Sequence, residues 1–354
     1  MTLDDLRKKI DSLDDQLLEI LTQRMEVVKQ VGEFKRQHRA IVYRPEREKA
    51  IVDRLHEQSK GLLSRSAIEA IFLEIFAVSR NIELPERVAY LGPEGSFTHQ
   101  AAESRFGAMS EYIGLPSIRS VFESVASERV RFGVVPIENN QAGDVVETLD
   151  FLDQHAVSIA AEVPMDIHFG FATLADEVHA VHTIYSRDIG LRQCKKFIRE
   201  YFGEEINLVS VSSTSEAARL ASQDAKSAAL CSSMAARLHQ LPILFHNVED
   251  REDNQTRFLI LSKQFENQRS GNDKTSLIAY TSDDPGSLAD MLHDFQQANI
   301  NLTKIESRPA KQGSGFRYWF FIECEGHHQD PNFAQLLDQY ASQIRCLGSY
   351  LRLI

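Results

Sequence analysis

Residues 253–261 read Asp-Asn-Gln-Thr-Arg-Phe-Leu-Ile-Leu, DNQTRFLIL. The second half, 257–261, runs apolar after its first residue and predicts a buried strand. The polar half then lies where that strand begins, a place where an open α/β sheet presents side chains to a cleft. Thr256 offers a hydroxyl there and Arg257 a fixed cation. The chain before this stretch reads as able to make or hold a substrate. The chain after it reads as a separate sensing module.

At 354 residues the chain is too long for one ordinary core, so two or three domains are expected. A net charge of −12 argues against a nucleic-acid partner, which would want a basic face. It leaves room for a small anion, because a few placed Arg and Lys invert the field locally. Cys194, Cys231, Cys324 and Cys346 lack CxxC spacing, so reduced thiols in a cytoplasmic protein are expected, with no zinc site. The start, MTLDDLRKKI, lacks the apolar core of a signal peptide, and no apolar run is long enough to span a bilayer.

Residues 1–85 are predicted all-helical. Leu3, Leu6, Ile10, Leu13, Leu17, Ile20, Leu21, Val28, Val31 and Phe34 keep three-and-four spacing along one long amphipathic helix. Pro45 opens a second helix, and Ser66 with Glu69 suggests a capping box for a third. Unequal helices of this kind suggest a bundle completed by a second copy. Arg24 stands where the stripe calls for a Leu, and Lys35 is about 20° from it around the axis. Arg7 is about 100° off that direction and more easily serves another site. Ser79 and Glu83 share a face. A coiled-coil dimeriser with snorkelling cations is the plainer reading of the same pattern.

Leu6-Arg7-Lys8-Lys9-Ile10, Arg24, Val31-Gly32-x-x-Lys35, Pro45-Glu46-Arg47-Glu48 and the Ser79…Glu83 pair together resemble the all-helical chorismate mutases. The resemblance implies an intertwined dimer whose first-helix Arg crosses between chains. It places Arg7, Arg24, Lys35, Arg47, Glu48, Ser79 and Glu83 on the substrate. Arg44 departs from the family, where Asp is common, which touches one ring-hydroxyl contact. Chorismate to prephenate is a pericyclic rearrangement, so the protein must fold a flexible dianion and stabilise charge on the breaking ether oxygen. The arginines would clamp carboxylates, Lys35 would donate to the ether oxygen, and Glu83 could donate to it only when protonated.

Residues 87–264 alternate strands and helices, an α/β domain. The late strand 257–261 suggests two lobes joined by crossing strands, with a cleft between them. Gly92-Pro93-Glu94-Gly95-Ser96-Phe97-Thr98 lies between a strand and a helix and forms an anion cradle of backbone N–H groups. Neither dinucleotide nor P-loop spacing is present, so no nucleotide is expected. Taken singly, each loop reads as an ordinary turn or cap. Together, GPEGSFTHQAA, VVPIENNQAGDV and NQTRFLIL resemble prephenate dehydratase. The resemblance makes Thr256 the central catalytic residue, with Ser96, Glu138, Asn139, Ser186, Gln193 and Arg257 around the substrate. Ser213 and Thr214 are weaker candidates, and Ser96 stands where Thr is usual. The reaction loses carbon dioxide and hydroxide in one aromatising step, so no cofactor or metal is expected. Thr256 could donate to the leaving oxygen with Arg257 polarising it, or water could deliver the proton.

Residues 275–354, after a polar linker at 264–273, are predicted β-α-β-β-α-β, a ferredoxin-like α+β order with one strand at 316–323. Gly286-Ser287-Leu288 and Glu306-Ser307-Arg308-Pro309 resemble the ACT domain and its phenylalanine-sensing signature. The same fold could serve only to pair chains. The whole resembles a bifunctional chorismate mutase/prephenate dehydratase, taking chorismate through prephenate to phenylpyruvate with L-phenylalanine as effector. It is expected to be a cytoplasmic homo-oligomer, at least a dimer, with no membrane or nucleic-acid partner. Two rival readings are an arogenate dehydratase and an amino-acid-responsive binding protein. The second should carry a basic helix-turn-helix, and none is evident.

Overall fold

The three-and-four stripe of the N-terminal segment forms α1 (Leu3–His38), 36 residues and about 54 Å long in the computed structural model. Residues 2–38, 43–251, 253–282, 284–310 and 318–353 are described. α2 (Pro45–Gln58) starts on its proline, whose missing N–H costs nothing in a first turn. α3 (Arg65–Glu83) is capped by Ser64, whose side chain accepts from the Ala67 N–H. The expected capping box at Ser66 and Glu69 is therefore not the one used. Glu69 instead accepts from Arg65 at 2.9 Å. Val52, Ile68 and Phe76 make a small core between α2 and α3. Along α1, by contrast, Leu3, Leu6, Ile10, Leu13 and Leu17 are all exposed. These helices form one unit, Met1–Glu86 with Phe106–Glu111.

The second unit holds the rest of the chain. Its first lobe runs β1 (Arg87–Leu91), α4 (Phe97–Phe106), β2 (Glu111–Leu115), α5 (Ile118–Ala126), β3 (Phe132–Asn139), β4 (Gly143–Asp144), α6 (Val146–Gln154) and β5 (Ser158–Asp166). The second lobe runs β6 (Gly170–Thr173), β7 (Thr183–Ser186), α7 (Asp188–Gln193), α8 (Lys195–Phe202), β8 (Asn207–Ser210), α9 (Thr214–Ala221), β9 (Ser227–Cys231), α10 (Ser233–Leu238) and β10 (Ile243–Phe245). β11 (Gln255–Ser262) then returns to the first lobe and inserts antiparallel between β3 and β5. The first sheet has the order β2-β1-β3-β11-β5, the second β10-β6-β9-β7-β8. β5 and β11 are thus the strands by which the chain leaves and re-enters the first lobe, as its late apolar run suggested.

The C-terminal segment forms β12 (Asp273–Tyr280), α11 (Ser287–Gln297), β13 (Leu302–Pro309), β14 (Tyr318–Glu325), α12 (Pro331–Gln339) and β15 (Ile344–Leu351). The four strands make an antiparallel sheet, β13-β14-β12-β15. The expected strand at 316–323 overlaps β14, and residues 316 and 317 lie outside those described.

This module is not separate, contrary to expectation. Ile278, Trp319, Phe321, Leu347 and Tyr350 share one core with Leu149, Phe151, Ile159, Leu259 and Leu261 of the first lobe. At Gly348 the backbones come so close that an added Cβ would collide with the Ile159 carbonyl oxygen. The polar linker is also packed. Asn267 is buried, and its amide donates to Ala160 O at 2.9 Å and Ser349 O at 2.8 Å, tying β5 to β15. No described helix is long and apolar enough to cross a membrane. Asn267→Ala should leave both carbonyls unpaired in a dry site and cost about 2 kcal/mol. Chemical denaturation of the second unit, followed by tryptophan fluorescence from Trp319, checks this. An unchanged midpoint would mean that water replaces the amide.

Candidate active sites

α1 and α3 pack closely enough at Gly32 that an added Cβ would sit 3.0 Å from the Glu83 Cα. That approach brings two polar pairs together. Arg24 donates to the Ser79 hydroxyl at 2.5 Å, and the Lys35 ammonium meets the Glu83 carboxylate at 2.7 Å. With Arg47 and Glu48 from α2 they line one cavity of about 490 Å³. Burial pulls the Arg24 guanidinium below its ordinary value, while the Glu83 carboxylate opposes that shift. Six of the seven residues expected here are therefore neighbours.

Arg7 is not among them. It is exposed, paired only loosely with Asp4 at 3.5 Å, and about 25 Å along α1 from Arg24. Arg44 also lines the cavity and pairs with Glu46. Arg80 was missed by the sequence reading. It is buried, pairs with Glu48 and with Glu86 (3.1 Å), and donates to Phe106 O at 3.0 Å. Burial pulls its guanidinium down, but Glu48 and Glu86 more than offset this and hold it above its ordinary value. The available signal was a lone Arg in the apolar run 71–82.

In the second unit, register places Thr256 of β11 opposite Asn139 of β3, and Arg257 opposite Glu138. Side chains alternate across a strand, so each neighbouring pair divides between the two faces. On one face the Asn139 amide donates to the Thr256 hydroxyl at 2.9 Å and to Asn254 Oδ1 at 2.9 Å. Its own oxygen accepts from the Gln141 and Ala142 backbone N–H groups. Asn254 donates on to Gln193, and Gln193 to Gln141. Gln141, Gln193 and Asn254, with Arg192, Glu249, Asp250 and Arg251, line a cavity of about 150 Å³. Gln141 and Asn254 lie inside stretches the sequence had already marked, but were not singled out.

On the other face Arg257 is buried and meets three carboxylates. They are Glu138 at 2.8 Å, Glu162 at 3.2 Å and Glu323 at 2.6 Å. Burial alone would lower its value, but Glu323 and Glu162 more than offset that and raise it. The expected polarisation of Thr256 by Arg257 is not what the geometry provides. The hydroxyl is met by Asn139 instead. Glu138 also accepts from Lys304 of β13 at 3.0 Å. Burial tends to raise the Glu138 value, but Lys304 and Arg257 prevail and lower it.

The serines expected here are engaged by backbone. Ser96 opens α4, donating to Leu91 O and accepting from the His99 N–H. Ser186 is buried and donates to Leu230 O at 2.8 Å. Ser213 caps α9, and Thr214 is buried beside it. The glycine loop is anchored to the second lobe, where Ser232 donates to Gly95 O at 2.7 Å. Gly95 has φ +81°, a conformation that favours glycine, and an added Cβ would sit 2.8 Å from Ser215 Oγ.

In the C-terminal module Gly286, at φ 95°, opens α11 in a left-handed turn, with Leu288 in that helix's first turn. Glu306, Ser307, Arg308 and Pro309 end β13. Arg308 reaches Asp150 of α6 at 3.0 Å.

Comparison with known proteins gives the same three parts in the same order. The family profile for chorismate mutase type II matches residues 6–84, that for prephenate dehydratase 88–266, and that for the ACT domain 275–341. The chain is 35% identical to the bifunctional chorismate mutase/prephenate dehydratase of Aquifex aeolicus, over 98% of this chain and 97% of that protein. It is 38% identical to the protein of that name from Stutzerimonas stutzeri, over 98% and 96%. The solved prephenate dehydratase of Arthrobacter aurescens, in complex with L-Phe, superposes with a TM-score of 0.68 at 30% identity, covering 75% of this chain and 90% of that one. Likeness from end to end, across a helical cavity, a two-lobed α/β unit and an antiparallel sensor fold, has one meaning: the chain belongs to the bifunctional chorismate mutase/prephenate dehydratase family.

Proposed function

We propose that chorismate rearranges to prephenate in the cavity between α1 and α3, and that prephenate loses water and carbon dioxide at the Thr256–Asn139 pair. The observation that carries the second assignment is the hydrogen bond from Asn139 to the Thr256 oxygen. A hydroxyl that accepts there keeps its own proton for another acceptor, and the accepted bond makes it a better donor. The departing hydroxyl of prephenate is that acceptor. As the ring carboxylate leaves as carbon dioxide, its bonding electrons move through the ring and expel the hydroxyl. The Thr256 donor stabilises the charge arriving on the leaving oxygen, and aromaticity drives the step. Gln193, joined to Asn139 through Asn254, supplies amide groups beside the same site. Thr256→Val, which keeps shape and removes the donor, should lower dehydratase kcat at least about a hundredfold, the usual cost of losing a placed donor. Asn139→Leu should approach the same loss, and mutase turnover should stay near wild type in both. Phenylpyruvate formation at the wild-type rate in Thr256→Val would end this reading.

In the helical cavity Arg24 and Arg47 hold carboxylates, Glu48 accepts a substrate hydroxyl, and Lys35 with Glu83 brackets the breaking ether bond. Arg7 lies outside the cavity of its own chain, and α1 exposes apolar residues along its length. Both support a second copy that covers α1 and brings its own Arg7 across. Arg7→Ala and Arg24→Ala should each abolish mutase turnover. Mixed after subunit exchange, they should regain about one quarter of wild-type activity, because half the dimers are hybrids with one intact site of two. Exchange shown by mass without return of activity would place Arg7 in its own chain's site.

L-Phenylalanine acts through Gly286, Leu288 and the 306–309 segment, a reading supported by the Arthrobacter aurescens relative solved with L-Phe. Glu306→Ala should weaken inhibition of the dehydratase with both basal activities near wild type. Undiminished inhibition, measured with saturating prephenate, would put the effector elsewhere.

A further inference from the structure

β13 lays two cations against the dehydratase lobe: Arg308 on Asp150, and Lys304 between Glu138 and Asp144. Lys304 is the more telling of the two. Its ammonium is mostly buried and comes from the regulatory module. Yet Glu138, its partner, is the residue immediately before Asn139 on β3. Across the strand pair, Glu138 faces Arg257 just as Asn139 faces Thr256. The ion pairs on one face therefore link the same two strands whose other face carries the amide and the hydroxyl.

We propose that Lys304 is a positioning residue of the prephenate dehydratase site. Together with Arg257 it fixes the Glu138 carboxylate, and through the Glu138–Asn139 step it fixes the amide that orients the Thr256 hydroxyl. The sensor module thus completes the framework of the catalytic strands, apart from any effector. The inference rests on the assignment of Thr256 and Asn139 given above. The charges that face Glu138 or its partners are Arg257 of β11, Lys304 of β13, Asp144 of β4, Glu162 of β5, Lys274 of β12 and Glu323 of β14. The two cations nearest Glu138 keep it ionised below the ordinary carboxylate range. Loss of one should let it protonate at higher pH.

The test is steady-state dehydratase kinetics against pH, on the full chain, for Lys304→Met, Lys304→Arg, Asp144→Asn and Thr256→Val, with mutase turnover as the internal control. Lys304→Met should lower dehydratase kcat about ten- to a hundredfold, the scale of a catalytic group displaced by about 1 Å. KM should change less, and the acid limb of the kcat profile should move up by about one pH unit. Lys304→Arg should restore most of kcat and return the limb toward wild type. Asp144→Asn should match wild type, because Lys304 keeps Glu138. A wild-type kcat and acid limb in Lys304→Met, with Thr256→Val inactive, would overturn this inference and leave the site assignment standing. A loss in Asp144→Asn equal to that in Lys304→Met would also overturn it, since the cation would then serve the β4 turn. A fully active Thr256→Val would instead overturn the site assignment itself.

Discussion

One buried guanidinium ties strands of two sheets in the second unit to one another. Arg257 meets Glu138 from β3, Glu162 from β5 and Glu323 from β14, so three strands in two sheets converge on one cation. Lys274 shares the same oxygen of Glu162, and Lys304 shares Glu138. Such a cluster is a poor source of net stability, because desolvating the ions offsets most of their attraction. It is a strong constraint on geometry, however. Removing a single partner strands a charge in a dry site and costs about 3–5 kcal/mol. The planar fork of arginine can serve several carboxylates at once, which a lysine's point charge does less well. The register that sets Thr256 opposite Asn139 is therefore held from behind, by charge, as well as by the backbone ladder.

The helical unit applies electrostatics differently. Arg80 is surrounded by its own carboxylates, Glu48 and Glu86, and so belongs to the framework. Among the described residues Arg24 has only neutral hydrogen-bond partners, the Ser79 hydroxyl and the Met25 sulfur. Burial pulls its value down by more than the Glu83 carboxylate raises it, which is the state a bound carboxylate would relieve. Two arginines in one cavity wall thus differ in what they can do for an anion, and their counterions decide it.

How much of this was legible depends on the range of each interaction. α1 to α3 follow from local periodicity and from Pro45, so their bounds in the fold agree with the pattern. The cap of α3 was misplaced by two residues because Ser64 and Ser66 are equally good caps locally. β9 went unnoticed although it is central to its sheet. Ser-Ala-Ala-Leu-Cys is short, small and without alternation, and it is a strand only because β6 and β7 flank it. The motifs around Thr256 and Asn139 were legible, but the division of labour within them was not. Nothing local in NQTRF says that Arg257 turns to Glu323, sixty-six residues away. The polar run 264–273 looked like a linker because the sequence does not show that Asn267 finds two buried carbonyls.

Strand alternation sharpens that last point. In Glu138-Asn139 and in Thr256-Arg257, only one member of each pair can face the cleft. The geometry gives the neutral members, Asn139 and Thr256, to the proposed chemistry and the charged members to the framework. The dianionic substrate must then be held by groups other than Arg257. The nearby candidates are the amides of Gln141, Gln193 and Asn254 and the Arg192 side chain at the same cavity. The side chains hydrogen-bonded to one another on the Thr256 face, Asn139, Asn254, Gln193 and Gln141, are all neutral, which suits a reaction that moves negative charge from the departing carboxylate to the leaving oxygen. A full cation bound to the departing carboxylate would favour the charge that has to disappear as carbon dioxide forms, and so would stabilise the ground state more than the transition state. Sequestering Arg257 behind the sheet keeps its charge for register and leaves the cleft to hydrogen bonds that can follow the electrons to the leaving oxygen.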